Sequence, residues 1–252
     1  MQSLHRERAA ARHGDQGVRR RLVLFDIDGT LLLSGGAGKR AILAAIADVA
    51  GIEGEALHGV RFDGKTDPQI VTELFEAAGT PLGGPERIDL ILERYLVHLE
   101  SDLTTNTHLA TVMPGIHPLL EALGSDPGVV VGLLTGNIAR GATIKLAAAG
   151  IPSGQFQVGA YGSDHAVRSS LPPIAAERAM PLFGRVPRGA EVVIIGDTPA
   201  DVTCGQSLGA TSIGVATGHY TVDALADAGA HWVFSDLGDT ERVHSAILAE
   251  RS

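Results

Sequence analysis

The chain has one cysteine, few aromatic residues and no long apolar run, and each scarcity narrows what it can be. Cys204 stands alone among 252 residues, which excludes an internal disulfide and is typical of a reducing, cytoplasmic compartment. No stretch reaches the roughly 18 uninterrupted apolar residues of a membrane-spanning helix. Residues 1–20 lack the apolar segment of a secretory signal. The expectation is a globular cytoplasmic protein with no membrane partner.

Positive charge is also scarce, and it is unevenly distributed. The net charge is −9, which argues against a general nucleic-acid-binding protein. Residues 1–21 carry a charge of +4, whereas the rest of the chain carries −13. We predict that residues 1–20 form a disordered basic arm, with a targeting or binding role as the alternative.

One apolar stretch ends in two carboxylates. Residues 23–30 have the sequence VLFDIDGT, which predicts a buried strand followed by a turn at Gly29. Side chains two positions apart in a strand point to the same side, so Asp26 and Asp28 can converge at its carboxyl end. Two carboxylates there are costly unless a cation or a reaction uses them. The plainer alternative is a strand followed by an acidic surface turn.

The pattern of elements changes along the chain. Residues 34–112 show helical periodicity and little strand signal, and the glycines at 34–38 do not form a phosphate-binding loop, because Arg40 follows Gly38-Lys39. From Met113 onward, apolar strands alternate with helices, at 129–134, 156–160, 192–195, 212–215 and 232–234. This alternation predicts an α/β fold with a Rossmann-like parallel sheet and helices on both faces. We therefore assign residues 21–33 and 113–252 to the core and residues 34–112 to an inserted α-helical cap.

Three further strands of this sheet also end in polar residues. Ligands of open α/β sheets bind beyond the carboxyl ends of the strands, so these ends should lie together. The polar tips are Thr135-Gly136-Asn137, the segment from Asp164 to Arg168, and Asp197 with Asp201. Taken singly, they could be a plain turn, a solvated loop cation and helix-capping acids.

Together, the residue types suit phosphoryl transfer. Asp26, the Asp28 backbone carbonyl and Asp197 could supply the oxygen ligands that Mg²⁺ prefers. A carboxylate can attack phosphorus to form an aspartyl phosphate, while a second acid protonates the leaving alkoxide and later activates water. Thr135 and Asn137 offer neutral donors to phosphate oxygens, and Arg168 offers a fixed cation.

At these residues the chain resembles the haloacid dehalogenase superfamily of phosphohydrolases, most closely its phosphoglycolate phosphatase-like members. The D-x-D-G-T motif stands at residues 26–30, the apolar strand closed by a threonine at residues 133–137, and the G-D-x-x-x-D motif at residues 196–201. Their order and separations match the superfamily over residues 22–235. The insertion after the first motif resembles the superfamily's helical cap.

The resemblance implies a role for each matching residue. Asp26 would be the nucleophile, Asp28 the general acid/base, and Asp197 a Mg²⁺ ligand beside them. Thr135, with the adjoining turn of Gly136 and Asn137, would bind the phosphoryl group. Asp201 would be an auxiliary acidic residue.

The cap loop would meet the substrate's leaving group through Lys65 and Asp67. From the residues alone, this loop is equally a helix N-terminus, with Thr66 or Asp67 as N-cap and Pro68 in the first turn.

One position departs from the superfamily pattern, which usually has a lysine between the threonine strand and the last acidic motif. The interval contains one lysine, Lys145, and it comes too early, on the helix after Thr135. Arg168 lies nearest the expected place, so we assign it the role of that lysine. Arginine keeps the charge but is a wider, planar donor.

The leading hypothesis is a Mg²⁺-dependent hydrolase of phosphate monoesters that acts on a small phosphorylated metabolite through an aspartyl phosphate. Asp28 argues against the dehalogenase relatives, which lack an acid at that position. The alternatives are a sugar-phosphate mutase of the same superfamily and a catalytically weak protein that binds phosphorylated metabolites. The substrate itself, and the choice between monomer and homodimer, stay open at this stage.

Overall fold

The computed structural model describes residues 20–250, so the predicted basic arm lies, except for Arg20, outside the described residues. Strands occur at Arg21–Phe25 (β1), Leu32–Leu33 (β2), Thr111–Val112 (β3), Val129–Thr135 (β4), Val158–Tyr161 (β5), Val192–Gly196 (β6), Thr211–Val215 (β7) and Trp232–Phe234 (β8). Helices occur at Ala37–Ala50 (α1), Asp67–Ala77 (α2), Pro85–Thr105 (α3), Ile116–Ser125 (α4), Ala139–Ala148 (α5), Leu171–Phe183 (α6), Pro199–Cys204 (α7), Val222–Asp227 (α8) and Thr240–Leu248 (α9).

Six of the described strands form one parallel sheet in the order β5-β4-β1-β6-β7-β8. The central strands β1, β4 and β6 are buried along their whole length, as continuous apolar runs require when helices cover both faces. One face packs against α4, α5 and α9, and the other packs against α6 and α7. The predicted α/β, Rossmann-like fold class is confirmed.

The helices α1, α2 and α3 of the predicted cap have an apolar core of their own. Buried side chains on one face of each helix meet there, among them Ile42, Phe75 and Tyr95. Ile138, from the start of α5, joins the same cluster and so links it to the sheet domain. The periodic apolar stripes in the sequence correspond to these packing faces.

Two short antiparallel strands stand where the chain leaves and re-enters the core. Leu32 pairs with Val112, and Leu33 pairs with Thr111. The chain therefore departs from the sheet domain and returns to it through neighbouring segments. This pair gives residues 34–110 a narrow, hydrogen-bonded base beside the end of β1.

The return to the core depends on one glycine at the start of α4. Gly115 has φ +80°, and a Cβ there would lie 1.9 Å from the carbonyl oxygen of Leu237. Only glycine tolerates both the left-handed backbone and this approach to the segment before α9.

We therefore expect Gly115→Ala to destabilise the protein by about 1–3 kcal/mol or more, through strain and overpacking. Gly124→Ala is the matched control, because Gly124 lies in the same helix with open space at its Cβ position. The control should leave stability unchanged or raise it by about 0.5–1 kcal/mol. Urea unfolding followed by circular dichroism measures both, and equal midpoints for the two variants would contradict the expectation.

Candidate active site

The sheet register brings the predicted site residues to one edge. Phe25, the last residue of β1, is aligned with Leu133 of β4 and with Ile195 of β6. Asp26 continues the ladder, because its amide donates to the Ile195 carbonyl at 2.9 Å. The carboxyl ends of the three central strands therefore present Asp26, Thr135 and Asp197 side by side.

Three carboxylates cluster at this edge. One oxygen from each of Asp26, Asp197 and Asp201 lies within 4.8 Å of the others, and all three residues are buried. The sequence predicted Asp26 and Asp197 in this place but gave Asp201 an auxiliary role. The side chain of Asp28 has other partners, so its predicted place among the metal ligands depends on its backbone carbonyl and stays a prediction.

In this acidic cluster (Asp26, Asp197 and Asp201), burial and neighbouring negative charges raise the pKa values of Asp26 and Asp197. Desolvation raises the pKa of Asp26 to about 7, against the opposing effect of the Arg168 guanidinium. Desolvation, with Asp201 and Asp26 as neighbouring negative charges, raises the pKa of Asp197 to about 9. A further cation would favour the ionised forms of these carboxyl groups.

The surroundings of Asp197 are closely packed by two glycines. A Cβ on Gly29 would lie 2.3 Å from Asp197 Oδ2, and one on Gly218 would lie 1.8 Å from the same oxygen. The Thr30 hydroxyl donates to Asp197 Oδ1 at 3.3 Å. Clustered carboxylate oxygens of this kind fit a hard divalent cation such as Mg²⁺, which takes oxygen ligands and keeps several waters.

Arg168 joins the acidic cluster from a short 3₁₀ turn that follows β5. Its Nη2 donates to Asp26 Oδ1 at 2.9 Å and also hydrogen-bonds Asp201, and the residue is only 7% exposed. Arg168 is therefore not the solvated loop cation that the sequence left as an alternative. The sequence placed it by elimination, and the structure puts its guanidinium against the predicted nucleophile.

Asp201 accepts hydrogen bonds from Thr198 as well as from Arg168. Its Oδ2 accepts from the amide of Thr198 at 3.0 Å and from its hydroxyl at 2.7 Å, while the Thr198 hydroxyl accepts from the Asp201 amide at 3.2 Å. This is a capping box at the start of α7. The capping alternative from the sequence is therefore correct for Asp201, and it holds the same carboxylate in the cluster.

Asp28 lies on the other side of the site, in a network that includes a lysine. Lys145 Nζ donates to both carboxylate oxygens of Asp28, at 2.8 and 2.7 Å, and to Asn137 Oδ1 at 2.6 Å. Asn137 Nδ2 donates to Asp28 Oδ2 at 2.7 Å and to the Thr135 hydroxyl at 2.8 Å. The predicted phosphate-binding turn and the predicted acid/base are thus one hydrogen-bonded unit.

Lys145 is the functional residue that the sequence analysis does not identify, since it precedes the place of the superfamily's usual lysine. A signal was present, because Lys145 shares the buried face of α5 with Ala142 and Leu146. A lysine on the inner face of a helix needs a partner.

The surroundings of Asp26 and Asp28 shift the pKa values of the two carboxyl groups in opposite directions. Burial opposes ionisation of Asp28, but the Lys145 ammonium, with hydrogen bonds from Lys145 and Asn137, outweighs it and holds the pKa of Asp28 below its usual value. Desolvation, with Asp201 and Asp28 as neighbouring negative charges, raises the pKa of Asp26 despite the Arg168 guanidinium. Two carboxyl groups two residues apart therefore differ in proton affinity without the metal ion, and a cation beside Asp26 would favour the ionised form of that group.

The predicted cap loop rests directly on the predicted phosphate-binding turn. The Asp67 amide donates to the Gly136 carbonyl at 2.8 Å, and Asp67 Oδ2 accepts from the Ile138 amide at 2.8 Å. A Cβ on Gly136 would lie 1.9 Å from the Lys65 carbonyl oxygen, so glycine permits this contact. The Lys65 ammonium pairs with Glu73.

Asp67 is buried in this contact, although the sequence predicted it as a substrate contact. Desolvation raises its pKa to about 6, opposed by the Lys145 charge and the Ile138 hydrogen bond. Its carboxylate, together with the Thr66 hydroxyl that donates to the Ala166 carbonyl at 2.5 Å, fastens the loop to the core. Thr66 also caps α2, as the sequence allowed.

The raised pKa of Asp197, which burial and then the charges of Asp201 and Asp26 cause, predicts a stability that depends on pH. Its pKa is about 9 in the folded protein against 3.8 for the free group, so the folded state binds more protons and loses stability as pH rises above about 4. In EDTA, Asp197→Asn should therefore melt at a higher temperature than the parent protein at pH 8, by about 2–4 °C per kcal/mol relieved, and by less at pH 5. Differential scanning calorimetry measures the shift, with the exposed Asp227→Asn as control. A difference independent of pH would contradict this origin.

Comparison with known proteins agrees with the geometry. The described fold matches the crystal structure of a hydrolase from Pseudomonas syringae at 24% identity and a TM-score of 0.69, covering 92% of this chain and 100% of the other. It matches a predicted phosphoglycolate phosphatase from Haemophilus somnus at 20% identity and a TM-score of 0.64, covering 90% of this chain and 98% of the other. It matches a proposed β-phosphoglucomutase from Thermotoga maritima at 21% identity and a TM-score of 0.59, covering 90% of this chain and 100% of the other. At these identities the likeness concerns the fold.

No curated protein sequence matches the chain. A family model does: residues 20–209 match haloacid dehalogenase-like hydrolases. That span contains Asp26, Thr135, Arg168 and Asp197, and it exceeds half of the chain. The protein therefore belongs to the haloacid dehalogenase-like hydrolase family.

Proposed function

We propose that the protein is a Mg²⁺-dependent hydrolase of phosphate monoesters that acts on a small phosphorylated metabolite through an aspartyl-phosphate intermediate. The observation that carries the proposal is the buried acidic cluster with the Arg168 guanidinium against Asp26. Such a cluster is costly to bury unless a cation and a reaction use it.

Asp26, Asp197 and the Asp28 backbone carbonyl would hold the metal ion, with Asp201 beside them. The cation would supply charge neutralisation for a phosphoryl group brought among carboxylates. Arg168 occupies Asp26 Oδ1, which leaves Oδ2 for attack on phosphorus. The chain's own contribution at this point is a fixed carboxylate whose orientation does not depend on substrate.

Two half-reactions follow from the positions of Asp26 and Asp28. In the first, an Asp26 oxygen forms a bond to phosphorus, the bond from phosphorus to the ester oxygen breaks, and Asp28 transfers its proton to that oxygen. In the second, Asp28 takes a proton from water, the water oxygen bonds to phosphorus, and Asp26 is released with inorganic phosphate. Each carboxyl group ends in its starting state.

The turn after β4 would bind the phosphoryl oxygens. The Thr135 hydroxyl accepts from the amide and the side chain of Asn137, so its own hydrogen is available to a phosphoryl oxygen. Gly136 lets the cap loop approach this turn and so helps to exclude water. Lys65 and Asp67 stay proposals as contacts to the leaving group.

The proposed setting is the cytoplasm, on the basis of the lone cysteine and its buried thiol. Within residues 20–250, no helix is both long enough and apolar enough to cross a membrane. The acidic character of the core and cap favours a small anionic substrate bound by specific donors over a nucleic acid bound by a general basic surface.

The nucleophile can be tested with a panel of phosphate esters, with and without Mg²⁺. The parent protein should release inorganic phosphate only with the metal, and Asp26→Asn should lower kcat by about 10³-fold or more, because the attacking oxygen is lost. Asp227→Asn, a surface change of the same kind, should retain full activity.

Activity without metal, or full activity of Asp26→Asn, would exclude this mechanism. Phosphate release also separates the proposal from the mutase alternative. A mutase would convert a sugar phosphate into its isomer with little free phosphate.

Arg168 provides a second test. Arg168→Ala should lower kcat by about 10²-fold, because Asp26 loses the donor that orients it, and Arg168→Lys should recover part of the loss by restoring the charge with a single point donor. Arg178→Ala is the matched control, since Arg178 pairs with Asp164 on the surface. Steady-state kinetics on folded variants decides, and a parental rate for Arg168→Ala would reassign the role.

A further inference from the structure

We propose that Lys145 is a positioning residue for Asp28, holding its carboxylate in the orientation that delivers a proton to the leaving group. The inference rests on the proposed function, because it concerns the first half-reaction. Lys145 belongs to none of the sequence motifs identified above, and it precedes the place of the superfamily's usual lysine.

The contacts of Lys145 fix both the position and the plane of the Asp28 carboxylate. Its ammonium donates to Oδ1 and to Oδ2, at 2.8 and 2.7 Å, so rotation of the carboxyl group would break one bond. The third contact, to Asn137 at 2.6 Å, ties the ammonium to the predicted phosphate-binding turn. Lys145, together with the direct hydrogen bond from Asn137 to Asp28, thereby ties the acid to the predicted phosphate-binding turn.

Asp28 needs such a support because its side chain is partly exposed, so its orientation depends on the hydrogen bonds from Lys145 and Asn137. Its side chain is 42% exposed, whereas the side chain of Lys145 is 5% exposed. The buried member of the pair is the one anchored in the rigid helix α5, and the partly exposed member is the one that must face a substrate. Proton transfer requires hydrogen-bond reach to the ester oxygen, which a freely rotating carboxylate meets only part of the time.

Helix α1 of the predicted cap approaches the lysine closely. Gly38, in the first turn of α1, packs so closely that a Cβ there would lie 3.2 Å from Lys145 Nζ and 3.6 Å from Cε. Gly38 has an ordinary helical backbone, so alanine fits the helix itself. A methyl group at this position would therefore crowd the ammonium.

The experiment compares two esters that differ in their need for a proton. The leaving group of p-nitrophenyl phosphate departs as a stable phenolate, whereas that of glycerol 2-phosphate is an alkoxide that must be protonated. The parameter kcat/KM reports the steps up to cleavage of the ester bond. Lys145→Met should lower kcat/KM for glycerol 2-phosphate by about tenfold or more beyond its effect on p-nitrophenyl phosphate.

Two further variants separate positioning from folding. Asp28→Asn should show the same dependence on leaving group, and the double variant Asp28→Asn/Lys145→Met should be no worse than Asp28→Asn, because Lys145 acts through Asp28. Gly38→Ala should show a smaller loss of the same pattern while its thermal stability is kept, since alanine favours the helix. Arg140→Met is the control, because Arg140 lies on the same helix with 68% of its side chain exposed.

Each outcome of these measurements either supports or overturns the inference. An equal loss for both esters in Lys145→Met and Gly38→Ala, or additive losses in the double variant, would overturn the inference. If Lys145→Met does not fold, Gly38→Ala alone gives the comparison of esters. A parent protein inactive on every ester with Mg²⁺ would overturn the proposed function and this inference with it, whereas an active parent with an indifferent lysine would overturn only the inference.

Discussion

The main physical constraint on the site is the repulsion among three carboxylates that the fold buries close together. Asp26, Asp197 and Asp201 lie within 4.8 Å of one another at the edge of the sheet. Burial raises the pKa values of Asp26 and Asp197. An uncompensated group of this kind would be neutral or would unfold the edge. Arg168 therefore acts first as a counter-charge, and only because it removes part of the repulsion can the cluster be ready for a further cation.

The sheet register is what holds these groups at short range. Backbone pairing of β1 with β4 and with β6 determines which side chains leave the edge together, and it does so through many hydrogen bonds that no single side chain could replace. The glycines beside Asp197 and the capping box of Asp201 then fix the carboxylates locally. The chemistry is concentrated in loops, but its precision comes from strands that contain no polar side chain at their centres.

The sequence predicts those parts of the site that follow from one-dimensional periodicity. Buried strands appear as apolar runs, and the residues after them appear as polar tips, so Asp26, Thr135 and Asp197 could be placed at one edge. The partners of Arg168 and Lys145 could not be predicted from the sequence, because they depend on the direction in which a long side chain leaves its 3₁₀ turn or helix. Lys145 and Asp28 are 117 positions apart and meet through the packing of α5. The two-residue strands β2 and β3 are too short for any periodic signal.

The same packing explains how one motif can supply two different carboxyl groups. Asp26 and Asp28 have the same chemistry and lie two positions apart, yet burial keeps the pKa of Asp26 raised despite Arg168, whereas Lys145 keeps the pKa of Asp28 low. The difference between their pKa values therefore comes from neighbouring residues in distant parts of the chain. Some of those neighbours belong to the predicted cap: Gly38 lies close to the Lys145 ammonium, and Asp67 fastens the loop above Gly136. Docking of the cap and the electrostatics of Asp28 are consequently coupled, so a change that loosens one is expected to disturb the other.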